Sequence, residues 1–310
     1  MSSRQKVTSL HALAVSLFLA AVCERVEAGP VTLLLPGYSF EAPTTDYAQL
    51  IISWWQKTPK PATYNESGAF RWSQLTGVFK NTAPGEFDHL DNCEGNQAAW
   101  IFVVPQAGFF QDYDCTDFTH TTPLHAFTAT YEVGQMYDFT VGLNGGGGGM
   151  LDGATIELSF YYRDANGVQQ QIAATTVTNS AALFPNHTHL TDFTLHLRTV
   201  TAGDPWAGRH IGVQLLSTVT AALQGGYWDV DNVRIVATPF VITPAPLGAN
   251  TWIGWPSASG YNYQVERSTD FATWTPYEGT LAGTGGELSK VLPPTSTAGA
   301  FFRVKESAAP

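Results

Sequence analysis

The stretch Thr155-Ile156-Glu157-Leu158-Ser159-Phe160 decides the fold class. Its apolar and polar side chains alternate with a period of two, as a strand with one buried and one wet face requires. Asp164-Ala165-Asn166-Gly167 then supplies Asn-Gly turn chemistry ahead of the next run. Working outward, runs of the same kind occupy 98–104, 136–143, 193–200, 211–219 and 228–236. Each is rich in β-branched and aromatic residues and bounded by Gly, Pro, Asn or Asp. Only 46–56 reads as helical, and Trp54-Trp55 within it fits a strand equally well. Many short strands with regular turn signals indicate an all-β chain built as a β-sandwich.

Composition narrows the function classes. Of 310 residues 13% are charged, 44% hydrophobic and 13% aromatic, which excludes a mostly disordered chain. Acids outnumber bases 26 to 15 for a net charge of −11. Nucleic-acid binding needs clustered Lys and Arg on phosphates, so the charge balance argues against that partner class.

Residues 1–28 read as a secretory signal peptide: Arg4 and Lys6, an apolar run from Val7 to Val22, then Val26-Glu27-Ala28 before the expected cut. That run is shorter than the roughly 20 residues of a spanning helix, although an uncleaved anchor stays open. Cys23 belongs to the leader, and Ala20-Ala21-Val22 before it fit a lipidation box poorly. The mature chain carries no second apolar span, and an exported protein with Cys93 and Cys115 is expected to join them as a disulfide. Two buried free thiols are the alternative.

Gly145 to Gly149 form a run of five glycines followed by Met150-Leu151-Asp152, without the Gly-Lys-Ser/Thr of a phosphate loop. It is expected to be a flexible loop. A domain boundary falls near Thr238-Pro239, with Pro244 and Pro246 stiffening the connection. The division is 29–237 and 238–310, and the second unit is small enough to lean on the first.

Ser39-Phe40-Glu41 and Asp231-Asn232-Val233-Arg234-Ile235 bracket the first unit, with Gly77-Val78-Phe79 and Gly95-Asn96-Gln97-Ala98-Ala99 between them. This order resembles the calcium-binding jelly rolls of exported bacterial proteins, a galactose-binding-like fold shared with many carbohydrate-binding modules. It also resembles the bacterial indole-alkaloid cyclases built on that scaffold. The second unit is similar to a fibronectin type III-like module, on Trp252-Ile253-Gly254-Trp255, Tyr263-Gln264-Val265, Arg267-Ser268-Thr269-Asp270, Trp274 and Phe301-Phe302-Arg303-Val304. The resemblance implies a structural calcium ion with Glu41 and Asp231 as its carboxylate ligands, and Asp229 is a third candidate donor. Calcium takes six to eight oxygens, so further donors are required.

Aromatic residues are the candidate sugar contacts, because pyranose C–H faces stack on Trp and Tyr. The pool is Trp54, Trp55, Trp72, Trp100, Trp206, Tyr227 and Trp228. Trp206, in the loop-like Asp204-Pro205-Trp206-Ala207-Gly208-Arg209, is the first choice and Trp72 the second. His187 and His189 stand two apart with no further ligand at metal spacing. No Gly-x-Ser-x-Gly elbow and no His-Glu-x-x-His occurs, and no catalytic residue is assigned. The expectation is therefore an exported, non-catalytic binding protein for a polysaccharide or cell-surface glycan, with a structural calcium ion. Two alternatives stay open: an enzyme on the same scaffold, either a cyclase or a glycan-active one, and a purely structural surface protein.

Overall fold

The computed structural model describes residues 29–67, 70–86, 89–116, 122–294 and 300–309. The expected leader at 1–28, with its Cys23, lies outside the described residues. Among those described, the helical content is two three-residue 3-10 turns, Trp72–Gln74 and Ala221–Leu223, and everything else regular is strand. None of the described helices is long and apolar enough to cross a membrane.

Twelve strands build the larger, jelly-roll sandwich. They are β1 (Val31–Leu33), β2 (Ala48–Gln49), β3 (Gln56–Lys57), β4 (Thr76–Lys80), β5 (Gln97–Phe102) and β6 (Gly108–Gln111). There follow β7 (Gln135–Gly147), β8 (Thr155–Arg163), β9 (Gln169–Thr178), β10 (Thr191–Leu197), β11 (Gly212–Ser217) and β12 (Tyr227–Pro239). One sheet runs β10-β7-β12-β5-β4-β2, with β1 paired to the far end of β12. The facing sheet runs β3-β6-β11-β8-β9. Every pair is antiparallel, and neighbours in space are mostly not neighbours in sequence, as in Greek-key sandwiches.

The alternation that announced the fold sorts the faces. Ile156, Leu158 and Phe160 are fully buried, and with Phe109, Phe139, Val213, Leu215 and Trp228 they fill the space between the sheets. A smaller sandwich follows: β13 (Thr243–Leu247), β14 (Asn250–Pro256), β15 (Tyr261–Ser268), β16 (Thr275–Pro276), β17 (Leu281–Ala282), β18 (Glu287–Leu292) and β19 (Phe301–Ala308). Its sheets hold three and four strands around Ile253, Trp255, Tyr263, Val265 and Leu292. The small core leans on the larger one: Glu306 accepts from Tyr263 Oη (2.6 Å) and from the Thr199 backbone N–H (3.2 Å).

Three expectations are corrected. Residues 46–56 form no helix but contribute β2 and the start of β3, because Ile52 and Trp55 each drop into the sandwich core while Trp54 takes a left-handed φ of 65°. The glycine run is not a flexible loop. Strand β7 continues through Gly147, and ring systems lie against the bare backbone: Phe184 at Gly145, His187 at Gly146, and Tyr227 at Gly147 and Gly148. Cys93 and Cys115 are free thiols. Cys93 packs with Leu90, Ala98 and Leu190 outside the seven-stranded sheet, and Cys115 with Phe110 and Tyr161 outside the five-stranded one. Stacked sheets stand about 10 Å apart, and a disulfide needs Cα atoms within about 7 Å.

Candidate functional site: an aromatic groove beside a carboxylate-rich strand end

Strands β5 and β12 are paired, so their outward side chains form rows across the sheet. On β5, Ala99 and Ile101 point into the core while Trp100 and Phe102 point out; on β12, Trp228 and Val230 point in while Tyr227 and Asp229 point out. Trp100 stands opposite Asp229, and Phe102 opposite Tyr227. With Tyr47, Leu50 and Phe70 these residues wall a groove of about 500 Å³. That is within the range of small-ligand sites.

The groove is held open by backbone economy and fixed rings. Gly77 faces Trp100, and a Cβ there would overlap the indole. The Trp100 N–H donates to the Gln74 carbonyl (3.2 Å), which sets the ring's orientation. Phe102 contacts Phe70 at 4.9 Å between centroids and meets Tyr227 edge-on at 6.2 Å. Tyr47 is 87% exposed and Phe70 55% exposed, a large apolar surface for side chains next to a pocket. Polar groups are few: Gln74, Lys80, Thr82 and Asp229. Asp229 is 7% exposed and accepts from Asn144 Nδ2 (3.1 Å).

Two residues along β12, Asp231 is fully buried. Its Oδ2 accepts from the Glu94 N–H (2.7 Å) and from Cys93 Sγ (3.2 Å), while Oδ1 has no partner. Burial pushes its carboxyl up to about 7, against the pull of the Asn232 N–H near by and of the Cys93 and Glu94 donors. Glu41 Oε1 accepts from the Asn96 and Gln97 N–H groups (2.8 Å each). Gly95, at φ 80°, leaves the room: a Cβ there would sit 2.6 Å from the Glu41 carboxyl carbon. Burial raises the Cys93 thiol first, followed by the charge of Asp231, to which Cys93 Sγ donates, and by the charges of Glu41 and Asp229.

A buried carboxylate oxygen without a hydrogen-bond partner suits a hard cation. Among the described residues no three His, Cys, Asp or Glu side chains converge at metal distance. An ion here would take its other oxygens from backbone carbonyls and water, as calcium does.

The two tryptophans first chosen from sequence lie elsewhere. Trp206 is no free platform: it packs on the main core, the Arg198 guanidinium lies over its ring at 5.0 Å, and its N–H is buried without a partner. Arg198 also clamps Asp204, closing the turn that looked like a binding loop. Trp72 walls a separate cleft on the other sheet. His187 closes over Gly146 with Nδ1 at 2.8 Å from the Gly145 carbonyl, and His189 faces Asn92. Tyr47, Phe70 and Phe102 were missed as groove residues, and Trp100 and Tyr227 stood only in the general pool. Strand alternation was the usable signal: large aromatics at positions out of phase with the core residues of β5 and β12.

No family model and no curated protein matches the sequence. Among solved structures, the chain is similar to the Stig cyclase Fisc from Fischerella sp. TAU, in complex with (3Z)-3-(1-methyl-2-pyrrolidinylidene)-3H-indole. That likeness has 22% identity, covers 68% of this chain and 98% of that one, and has a TM-score of 0.46. The CBM22-1 xylan-binding domain of Paenibacillus barcinonensis Xyn10C is similar at 16% identity over 69% and 99% of the two chains, TM-score 0.36. The CBM22-1–CBM22-2 tandem domain of the same Xyn10C is similar at 12% identity over 92% of each chain, TM-score 0.40.

Proposed function

We propose that the protein is an exported, non-catalytic binding protein for a polysaccharide or cell-surface glycan, held in the groove on the seven-stranded sheet. The observation that carries this reading is the row of outward aromatics, Trp100, Phe102 and Tyr227 with Phe70 and Tyr47, beside the few polar groups of the same groove. Aromatic faces stack on the C–H faces of sugar rings, and Asp229, Gln74 and Lys80 are suited to hydroxyls. Export rests on the leader-like residues 1–28. The smaller sandwich would serve as a fibronectin type III-like spacer.

Calcium belongs to the same reading. Glu41 and Asp231 would hold it, with Asp229 as a third carboxylate near by, and the ion would supply the charge that buried Asp231 Oδ1 lacks. Its role would be structural, since it would tie the 37–45 loop and the 93–97 turn to β12.

The test is retention of the protein on a panel of insoluble polysaccharides with calcium present. Binding to one polymer is expected to fall at least tenfold in Trp100→Ala and to survive in Trp206→Ala. Retention that ignores Trp100 would remove the groove from the reading.

Asp229 favours a second reading, an enzyme on the same scaffold, because a buried carboxyl among aromatic walls can hold or deliver a proton at a bound ring. Asp229→Asn separates the two. In a binding module it lowers affinity with no product at any stage; in an enzyme it leaves binding and stops turnover.

A further inference from the structure

A second cleft, of about 690 Å³, opens on the outer face of the five-stranded sheet, away from the aromatic groove. Gln56, Phe110 and Gln214 form one cross-strand row along its floor. Trp72 is a fixed wall: its N–H donates to the Thr58 carbonyl (2.7 Å) and its ring meets Tyr64 edge-on at 5.0 Å. The side-chain amides of Gln169 and Gln214 line the cleft and carry no hydrogen bond to protein among the described residues. They are positioned to take a ligand's hydroxyls.

Three cations gather at this cleft, two of them already ion-paired to acids behind or beside it. Lys57, Lys60 and Arg163 all line it, in a protein with 15 Lys and Arg against 26 acids. Arg163 is set in place from behind. Its Nε and Nη2 donate to Asp112 Oδ2 at 2.8 Å each, and its Nη1 donates to the Gly167 carbonyl at 2.9 Å. Asp112 is 4% exposed and also accepts from Tyr161 Oη at 2.6 Å, so its carboxylate is turned inward and holds the guanidinium rigid. A guanidinium has five N–H donors, and three are used. Two remain for a ligand, and a planar, pre-oriented guanidinium is suited to a carboxylate. Lys57 reaches the Ser73 (2.5 Å) and Thr76 (2.6 Å) carbonyls at the base of the Trp72 turn, and Lys60 pairs with Glu66 at 3.6 Å on the exposed rim.

We propose that this cleft binds an acidic sugar, a uronate-bearing oligosaccharide, with its carboxylate at Arg163, its hydroxyls on Gln169 and Gln214, and a ring against Trp72. An inorganic anion would use the cations but not the amides or the indole. The site is independent of the groove on the other sheet.

Calorimetric titration of the full chain with trimers of galacturonate, glucuronate and mannuronate, each beside its neutral methyl ester, tests the proposal. One acid trimer is expected to bind, with its ester at least tenfold weaker. Gln214→Leu is expected to weaken binding at least fivefold and Lys60→Gln about twofold, both with unchanged melting, while Trp100→Ala leaves it intact. Equal binding of acid and ester, loss in Trp100→Ala but not in Gln214→Leu, or no binding of any trimer overturns it. Inorganic phosphate binding as tightly as the trimer would overturn the sugar and leave a simple anion site.

Discussion

Asp231 is the residue whose surroundings are least balanced: a fully buried carboxyl with one oxygen served by two donors and the other by none. Binding of calcium to the native state alone stabilises it, by about 2.7 kcal/mol at one hundred times Kd. Addition of a chelator should therefore lower the Tm by several degrees, and Asp231→Asn should abolish the difference between chelated and calcium-loaded protein. A chelator-insensitive wild type sinks the calcium proposal. Lys57 offers a test in pH. Burial lowers its ammonium to about 8 from the ordinary Lys value near 10.4. Between those values the unfolded chain binds more protons than the folded one, so this residue makes stability rise with pH. Below about 8 both states are protonated and the cost of the buried charge is constant. Denaturant titrations of wild type and Lys57→Gln should show their difference moving in favour of wild type from pH 7 to 10, and a flat difference contradicts the burial of the charge.

At the scale of the element, β7 and β12 explain why the groove has its shape. Tyr227 begins β12 and lies on Gly147 and Gly148 at the end of β7, where a Cβ on Gly147 would come within 2.5 Å of its ring. Gly147→Ala should thus displace Tyr227 and weaken ligand retention several-fold. Gly146→Ala meets the His187 ring at a φ of 85°, and should lower stability by about 1–3 kcal/mol in urea titration. Equal effects of the two substitutions on retention would argue against Tyr227 as a groove wall. The strands themselves were legible: 155–160 alternates because one face meets the core. The glycine run was not, because four of its five glycines, Gly145 to Gly148, answer to a ring supplied from far along the chain, Phe184, His187 or Tyr227. The 46–56 segment misled for a related reason, as Ile52 and Trp55 at helix-like spacing are drawn into the core by tertiary contacts.

Across the whole molecule, the two sandwiches meet through few but specific bonds. Glu306 of the smaller one accepts from Thr199 of the larger and from its own neighbour Tyr263, and the Phe240 N–H donates to the Gly134 carbonyl at 2.8 Å. Glu306→Ala leaves the Thr199 N–H and the Tyr263 hydroxyl each without this acceptor, which should cost about 1–3 kcal/mol. Calorimetric unfolding should report it as a lower melting temperature; an unchanged thermogram would mean that the sandwiches do not depend on this link. Against an overall net charge of −11, the cleft on the five-stranded sheet gathers three cations, Lys57, Lys60 and Arg163.

By itself the sequence determined the all-β class and the alternation that turns Trp100, Phe102 and Asp229 outward. Those properties depend on neighbours within a few residues or on composition, and both can be read along a line. Which aromatics share a groove, that Arg198 covers Trp206, and that the two cysteines lie on opposite sheets were decided only by the tertiary structure. Antiparallel pairing of strands more than a hundred residues apart, β5 with β12, sets which outward side chains stand together, and no local pattern encodes that register.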